Sequence, residues 1–224
     1  MKLSVLTPAL NCENYLQRAI DSTLAQHHPN WEHIVVDGGS TDNTLDILAD
    51  NEHITWVSES DEGQSDAMNK AFAMSTGEII LYLNADDMVA PGTFEYVLEY
   101  FESQPQCQFL VGDLLKAMDD KHYLDTPSIS LDEIIKYWPC RFPLNPVSYY
   151  YKRNVQQRIG RFPVSNHFTM DYWFLLRAYK FFKIDKSDRV FGTYFFDGTN
   201  KSSDAERAQF SLRSVQQDFL KEFS

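Results

Sequence analysis

An adjacent pair of carboxylates, Asp86-Asp87, follows the apolar run Ile79-Ile80-Leu81-Tyr82-Leu83 after only Asn84 and Ala85. Two carboxylates side by side at the end of a buried strand repel one another and raise each other's pKa unless a cation lies between them. A hard divalent ion suits such a pair, above all where phosphate oxygens complete its shell. A further carboxylate, Asp37, closes the run Ile34-Val35-Val36 and precedes Gly38-Gly39, which leaves backbone open to close approach by a ligand. Asp61 stands in Glu59-Ser60-Asp61-Glu62-Gly63-Gln64, just after Ile54-Thr55-Trp56-Val57-Ser58. The first apolar run of the chain passes into Thr7-Pro8-Ala9-Leu10-Asn11. Asp42 and Asp66 read more simply as helix caps.

Four apolar or β-branched runs, at residues 2–7, 32–37, 54–58 and 79–83, must be the strands that deliver these groups to one edge. Helices fit between them. Leu16, Ala19, Ile20, Thr23 and Leu24 share one helical face, and Leu45, Leu48 and Ala49 form a shorter stripe after a capping Ser40 or Thr41. Ala67, Met68, Ala71, Phe72 and Met74 form a third stripe, with Gly77 expected as its C-cap, and Pro91 suits the first turn of a fourth helix. Strand-helix alternation predicts an α/β fold, a mostly parallel central sheet flanked by helices, with ligands bound beyond the carboxyl ends of the strands. The second half is less regular, with helices expected near 131–138, 152–159 and 170–182, a strand near 189–196, and an amphipathic C-terminal helix carrying Leu212, Val215, Phe219, Leu220 and Phe223.

The net charge of −12 disfavours nucleic acid as a partner, but it is unevenly spread. Residues 1–112 hold 3 Lys/Arg against 18 Asp/Glu, whereas residues 136–189 hold 11 against 3. The basic stretch, with its interleaved aromatics, has two readings: a face toward an anionic acceptor or a bilayer surface, or an ordinary core helix with solvated Lys180, Lys183 and Lys186. Cys12, Cys107 and Cys140 are odd in number and far apart, which fits neither a disulfide framework nor a zinc site. With no signal-like or membrane-spanning apolar run, a cytoplasmic location is expected, with peripheral association at the inner membrane face as an option. One domain, residues 1–224, is the simplest organisation.

These blocks resemble the nucleotide-binding half of family 2 glycosyltransferases, which are inverting enzymes of the GT-A fold. The similarity lies in Leu-Thr-Pro-x-x-Asn from Leu6, Ile-Val-Val-Asp-Gly-Gly-Ser-Thr-Asp-Asn-Thr from Ile34, Ser-Glu-x-Asp-x-Gly-Gln-Ser-Asp-Ala-Met-Asn-Lys-Ala from Ser58, and Thr-Gly-Glu-Ile-Ile-Leu-Tyr-Leu-Asn-Ala-Asp-Asp from Thr76. The resemblance implies a nucleotide-sugar site at Thr7, Pro8, Ala9, Asp37, Asp61, Asn69, Asn84, Ala85 and Asp86, in about residues 1–112. It also implies Mn2+ or Mg2+ at Asp86 and Asp87, although Asn84 replaces the first acidic residue of the Asp-x-Asp motif. A UDP-sugar is the donor implied by family habit. Lys70 and the helix start at Gln64–Asp66 are candidates to assist the phosphates.

Residues from about 113 to 224 match the family's acceptor side more loosely, through Asn145-Pro146-Val147-Ser148 and Met170-Asp171-Tyr172-Trp173. The resemblance makes Asp171 the general base that deprotonates a glycan or lipid-linked acceptor hydroxyl; the plain alternative is a helix cap. Gly112-Asp113 and the loop at Asp197-Gly198 also resemble family elements, with Asp197 where relatives often carry His. Two rival functions stay in view. A nucleotidyltransferase making sugar nucleotides needs a Gly-rich, basic loop after the first strand, which Pro8-Ala9-Leu10-Asn11 lacks. A non-catalytic nucleotide-sugar-binding protein would bind without turnover.

Overall fold

A computed structural model describes residues 1–136, 142–196, 198 and 205–223. The four expected strands form as β1 (Leu3–Ala9), β2 (Trp31–Asp37), β3 (Ile54–Ser58) and β4 (Ile79–Tyr82), all parallel in the order β3-β2-β1-β4. Their register sets Ala9 beside Asp37 and Asp37 beside Ser58, so the residues after each strand emerge at one edge. Between them run α1 (Leu16–Leu24), α2 (Thr44–Asp50) and α3 (Gln64–Met74). The short β5 (Met88–Val89) and α4 (Thr93–Ser103) follow.

Two cap expectations fail for local reasons. Ser40 turns back to Asp37, so the start of α2 is held instead by Asp42, whose Oδ1 accepts the Thr44 amide at 3.0 Å. Helix α3 ends at Ser75 in an extended conformation, with φ −78° and ψ 152°. Gly77 lies beyond it, pressed against Ser4 with its amide donating to Ser4 Oγ at 2.8 Å, where a side chain would collide with β1.

The second half differs more. It contributes four strands to the same sheet rather than a mainly helical region: β6 (Phe109–Met118), β7 (Lys121–Asp125), β8 (Tyr149–Lys152) and β9 (Ile184–Phe196). The order continues β4-β8-β6-β9-β5, with β7 on β6, and β8 runs antiparallel to both its neighbours. Antiparallel pairs thus join the parallel ones in the same sheet, and residue 112 falls inside β6. Helices α5 (Leu131–Ile135), α6 (Arg153–Ile159), α7 (Met170–Phe181) and α8 (Ala205–Phe223) complete the chain among the described residues. The expected continuation of α5 to residue 138, and the readings made for Cys140 and Asp197, lie outside those residues.

Both sheet faces are covered, as apolar runs without polar alternation require. Leu6, Ile80, Tyr82, Phe109, Tyr149 and Tyr151 pack on one side with α3 and α7, while Leu3, Val5, Ile79, Leu81, Leu110 and Tyr150 pack on the other with α4. Tyr149-Tyr150-Tyr151 thus alternates across the sheet, and a slip of one residue would exchange the two layers. Gly112 sits at the irregular step between β6 and β9, directly beneath the Phe191 ring, where a Cβ would clash.

Candidate active site

The carboxyl ends of β1 and β4, the start of α3, and the segments before β8 and α7 enclose a cleft of about 520 Å³. From the first half it is lined by Pro8, Ala9, Asp61, Asn84, Ala85 and Asp86. From the second half come Leu144, Asn145, Pro146, Phe168, Met170 and Asp171, with Tyr194 of β9. Six of the nine expected nucleotide-site residues and the expected base therefore share one cavity. Its charged lining among the described residues is Asp61, Asp86 and Asp171, with no Lys, Arg or His.

Four expected site residues are elsewhere. Thr7 is fully buried, with Oγ1 2.9 Å from Nε2 of His33, and Thr23 holds the other ring nitrogen at 3.2 Å. Asn69 clips α3 to the segment before α7, donating to the Phe162 carbonyl and accepting the Phe162 amide, both at 2.9 Å. Asp37 accepts from the Gly39 and Ser40 amides at 3.0 and 2.9 Å, from Ser58 Oγ at 2.6 Å, and from the Ser40 hydroxyl. Burial raises its pKa, but these bonds, led by Ser40 and Ser58, outweigh burial and hold the carboxyl below its ordinary value. Three of these donors converge on Oδ2 and the Ser40 hydroxyl is on Oδ1, so Asp37 shapes the turn after β2. The space beside Gly38 is taken up by the Asp61 carboxylate, whose Oδ2 would lie 2.7 Å from an added Cβ. Asp61 Oδ1 in turn accepts the Gly63 amide at 2.8 Å, which shapes the entry to α3.

Asp87, the fourth, does not line the cleft that Asp86 lines. It is fully buried, and its Oδ2 accepts Asn84 Nδ2 at 2.9 Å and Asn145 Nδ2 at 2.7 Å, while Oδ1 has no hydrogen-bond partner. Burial, and after it the charge of Asp86, push Asp87 up to about 8. Asn84 Oδ1 accepts Gln64 Nε2 at 3.2 Å, so a side-chain chain runs Gln64, Asn84, Asp87, Asn145 across the base of the cleft. Asn145 is the member not singled out from sequence; its place before Pro146, in a segment already matched to the acceptor side, was the available signal.

Asp171 lies in the first turn of α7, where Oδ1 accepts the Tyr172 amide at 2.7 Å. In the turn before the helix Asn166 Oδ1 accepts the Phe168 and Thr169 amides at 3.2 and 2.9 Å, and the N-cap residue Thr169 makes no side-chain cap bond. Lys70 is directed to Glu59 and Asp66, at 2.8 and 3.1 Å, and is not a lining residue. Much of the basic stretch is spent internally. Arg153 bonds the Gly77 carbonyl, Arg177 pairs with Glu222, Lys183 with Asp185, and Lys186 with Asp113 at 2.5 Å. No helix among the described residues is long and apolar enough to cross a membrane.

The model of the glycosyl transferase family 2 matches residues 4–182, and the chain belongs to that family. A putative teichuronic acid biosynthesis glycosyltransferase of Bacillus subtilis is 34% identical over 145 residues, covering 60% of this chain and 57% of the relative. An uncharacterized glycosyltransferase of a Nostoc species is 38% identical over 108 residues, 46% of this chain and 34% of the relative. The chain thus spans less than two thirds of the length of these relatives. Residues 1–349 of Staphylococcus aureus TarS superpose with a TM-score of 0.74 at 21% identity, covering 96% of this chain and 65% of that one. Glucosyl-3-phosphoglycerate synthase of Mycobacterium tuberculosis, solved with Mn2+, UDP and phosphoglyceric acid, gives 0.67 at 16% identity, covering 96% and 78%. The fold is accordingly the GT-A type expected, with its sheet extended by strands of the second half.

Proposed function

We propose that the chain transfers a sugar from a nucleoside diphosphate sugar, with UDP as the nucleotide, to an acceptor hydroxyl with inversion, in the biosynthesis of a polysaccharide or glycolipid. The observation that carries this reading is that Asp61, Asn84 and Asp86 from one half and Asp171 from the other line a single cleft. TarS crystallised with UDP and with UDP-GlcNAc, and a Pyrobaculum calidifontis mannosyltransferase with GDP-Man and Mn2+, lend support by likeness of fold.

A diphosphate entering a lining whose described charges are all carboxylates would be repelled without a cation. The donor set fits Mg2+ or Mn2+ in kind, being the carboxylate and amide oxygens of Asp61, Asn84 and Asp86 in the cleft lining. Among the described residues no cluster of three His, Cys, Asp or Glu is poised for a metal. That suits an ion held through one or two carboxylates and the substrate's own phosphates. Asp86 is the proposed protein ligand, with Asp87 behind it in a supporting place. When bound, the ion would stabilise charge developing on the departing diphosphate.

In this reading Pro8, Ala9, Asp61 and Asn84 bind and orient the nucleotide, while Thr7, Asp37 and Asn69 hold the elements that carry them. Asp171 takes the proton of a glycan or lipid-linked acceptor hydroxyl as its oxygen attacks the anomeric carbon. The test is nucleotide release from a panel of UDP- and GDP-sugars with Mn2+, with and without acceptor glycans. Release from at least one donor, abolished by EDTA, is expected. Tight binding without release under every condition would favour a non-catalytic sensor, and neither binding nor release would sink the proposal.

A further inference from the structure

Residues 1–112 contain only three Lys or Arg, namely Lys2, Arg18 and Lys70. Lys2 bonds Glu32 at 2.6 Å, and Lys70 bonds Glu59 and Asp66. Arg18, on α1, makes no ion pair among the described residues, although 18 carboxylates lie in the same half of the sequence. Its Nη2 donates to the backbone carbonyl of Asp86 at 2.7 Å. The guanidinium carbon lies 3.7 Å from the centroid of the Phe195 ring, a close cation–π stack, and 6.0 Å from that of Tyr15. Nε is buried with no hydrogen-bond partner.

An orphaned nitrogen on a charged group is costly, and an uncharged side chain at position 18 would avoid it. What the guanidinium does in return is visible in the contacts. The Asp86 carbonyl is the point at which the chain sends one carboxylate into the cleft and the next into the core, in the turn that the Asp87 amide closes on Asn84 at 3.1 Å. Phe195 is the neighbour of Tyr194, which lines the cleft. One planar side chain therefore touches both the backbone of the carboxylate pair and the end of β9. A lysine could supply the charge but neither the flat face nor the fork.

We propose that Arg18 is a positioning residue of the donor site, fixing the direction of Asp86 and tying it to the end of β9 through Phe195. This rests on the function proposed above. The experiment compares Arg18→Ala, Arg18→Lys and Phe195→Leu with wild type. It uses nucleotide release from the best donor in Mn2+, UDP affinity by calorimetry, and thermal midpoints.

Misplacement by about 1 Å can cost on the order of a hundredfold in rate. Arg18→Ala is expected to lose about a hundredfold in kcat/KM, and Arg18→Lys and Phe195→Leu about tenfold each, with thermal midpoints near wild type. KM for the donor rises and kcat falls together. Adding Phe195→Leu to Arg18→Ala should cost little more, because both changes break one contact. If Arg18→Ala does not fold, the two milder variants carry the test. Wild-type kcat and KM in Arg18→Lys and Phe195→Leu would overturn the proposal. So would losses that merely follow the thermal midpoint while KM in the folded fraction stays constant. A wild-type chain that releases no nucleotide overturns the function and this proposal with it, whereas an active wild type with indifferent variants overturns this proposal alone.

Discussion

Nδ2 of Asn145 donates to Oδ2 of Asp87 at 2.7 Å, fastening the segment before β8 to the turn after β4 behind the cleft. Asn84 donates to the same oxygen, so two amides converge on one buried carboxyl from opposite halves of the sequence. The bond is internal to the fold, yet both asparagines line the cavity in which the chemistry is proposed. Stability and substrate geometry therefore meet at Asp87, which gives the first pair of predictions.

Asn145→Ala leaves the Asp87 carboxyl with Asn84 as its one side-chain donor. A buried acceptor stripped of a partner costs about 1–3 kcal/mol. The variant should unfold at correspondingly lower urea concentration, read by tryptophan fluorescence. An unchanged midpoint would show that the contact contributes nothing net.

Asp86 and Asp87 should separate under mutation. Asp86→Ala is expected to abolish Mn2+-dependent nucleotide release at near wild-type stability, because its side chain lines an open cleft. Asp87→Ala leaves the Asn84 and Asn145 amides without their shared acceptor behind the cleft and should lose folding stability by about 1–3 kcal/mol. Stable, inactive Asp87→Ala beside active Asp86→Ala would reverse the assignment. Full activity of wild type in excess EDTA would remove the metal from the scheme altogether.

For Asp171, the discriminating change is Asp171→Asn. Asparagine can still accept the Tyr172 amide, and the turn that Asn166 builds before the helix is untouched. Loss of a general base lowers turnover by roughly 10²–10⁴-fold with donor affinity nearly unchanged. Wild-type transfer by this variant would assign Asp171 a structural place only, and the search for a base would move to other carboxylates.

His33 should make the fold sensitive to acid well above the carboxylate range. Burial, and after it the charge of His53, push His33 down to about 3, while an unfolded histidine titrates near 6.5. Between those values the unfolded chain binds a proton that the native chain refuses, so stability falls as pH is lowered through this window. The slope is about 1.4 kcal/mol per pH unit for one such group. Glu32 acts lower down. Burial raises its pKa, but hydrogen bonds led by Lys2 and Ser4 outweigh this and bring it to about 2, so its contribution is lost as pH falls from about 4.5 toward 2. Asp87, whose carboxyl is pushed up to about 8, acts in the opposite direction as pH falls from about 8 toward about 4, so the reading is a difference between variants: the urea midpoint of wild type relative to that of His33→Gln should fall from pH 7.5 to 6 to 5. A constant difference would exclude His33 as a source.

The sequence by itself determined the architecture of the first half. Four apolar runs, each closed by small or acidic residues, can satisfy both their burial and their backbone only as parallel strands with helical crossovers. That arrangement forces Pro8, Asp61 and Asp86 to one edge. Strand β6 was hidden because Gly112-Asp113 interrupts its apolar run, and only the sheet shows that Gly112 is there to admit the Phe191 ring. Strand β8 was hidden because four residues of tyrosine and lysine have no period of their own; neighbours β4 and β6 impose one. Tertiary structure alone decided how the carboxylates divide. Asp86 and Asp87 are equivalent in the sequence, but a tight turn must send adjacent side chains to different places, one toward the cleft and one toward Asn145, 58 residues away along the chain. The placing of Asp171 in the same cleft as Asp86 was settled in the same way, by packing of α7 against a sheet whose second half the apolar pattern did not reveal.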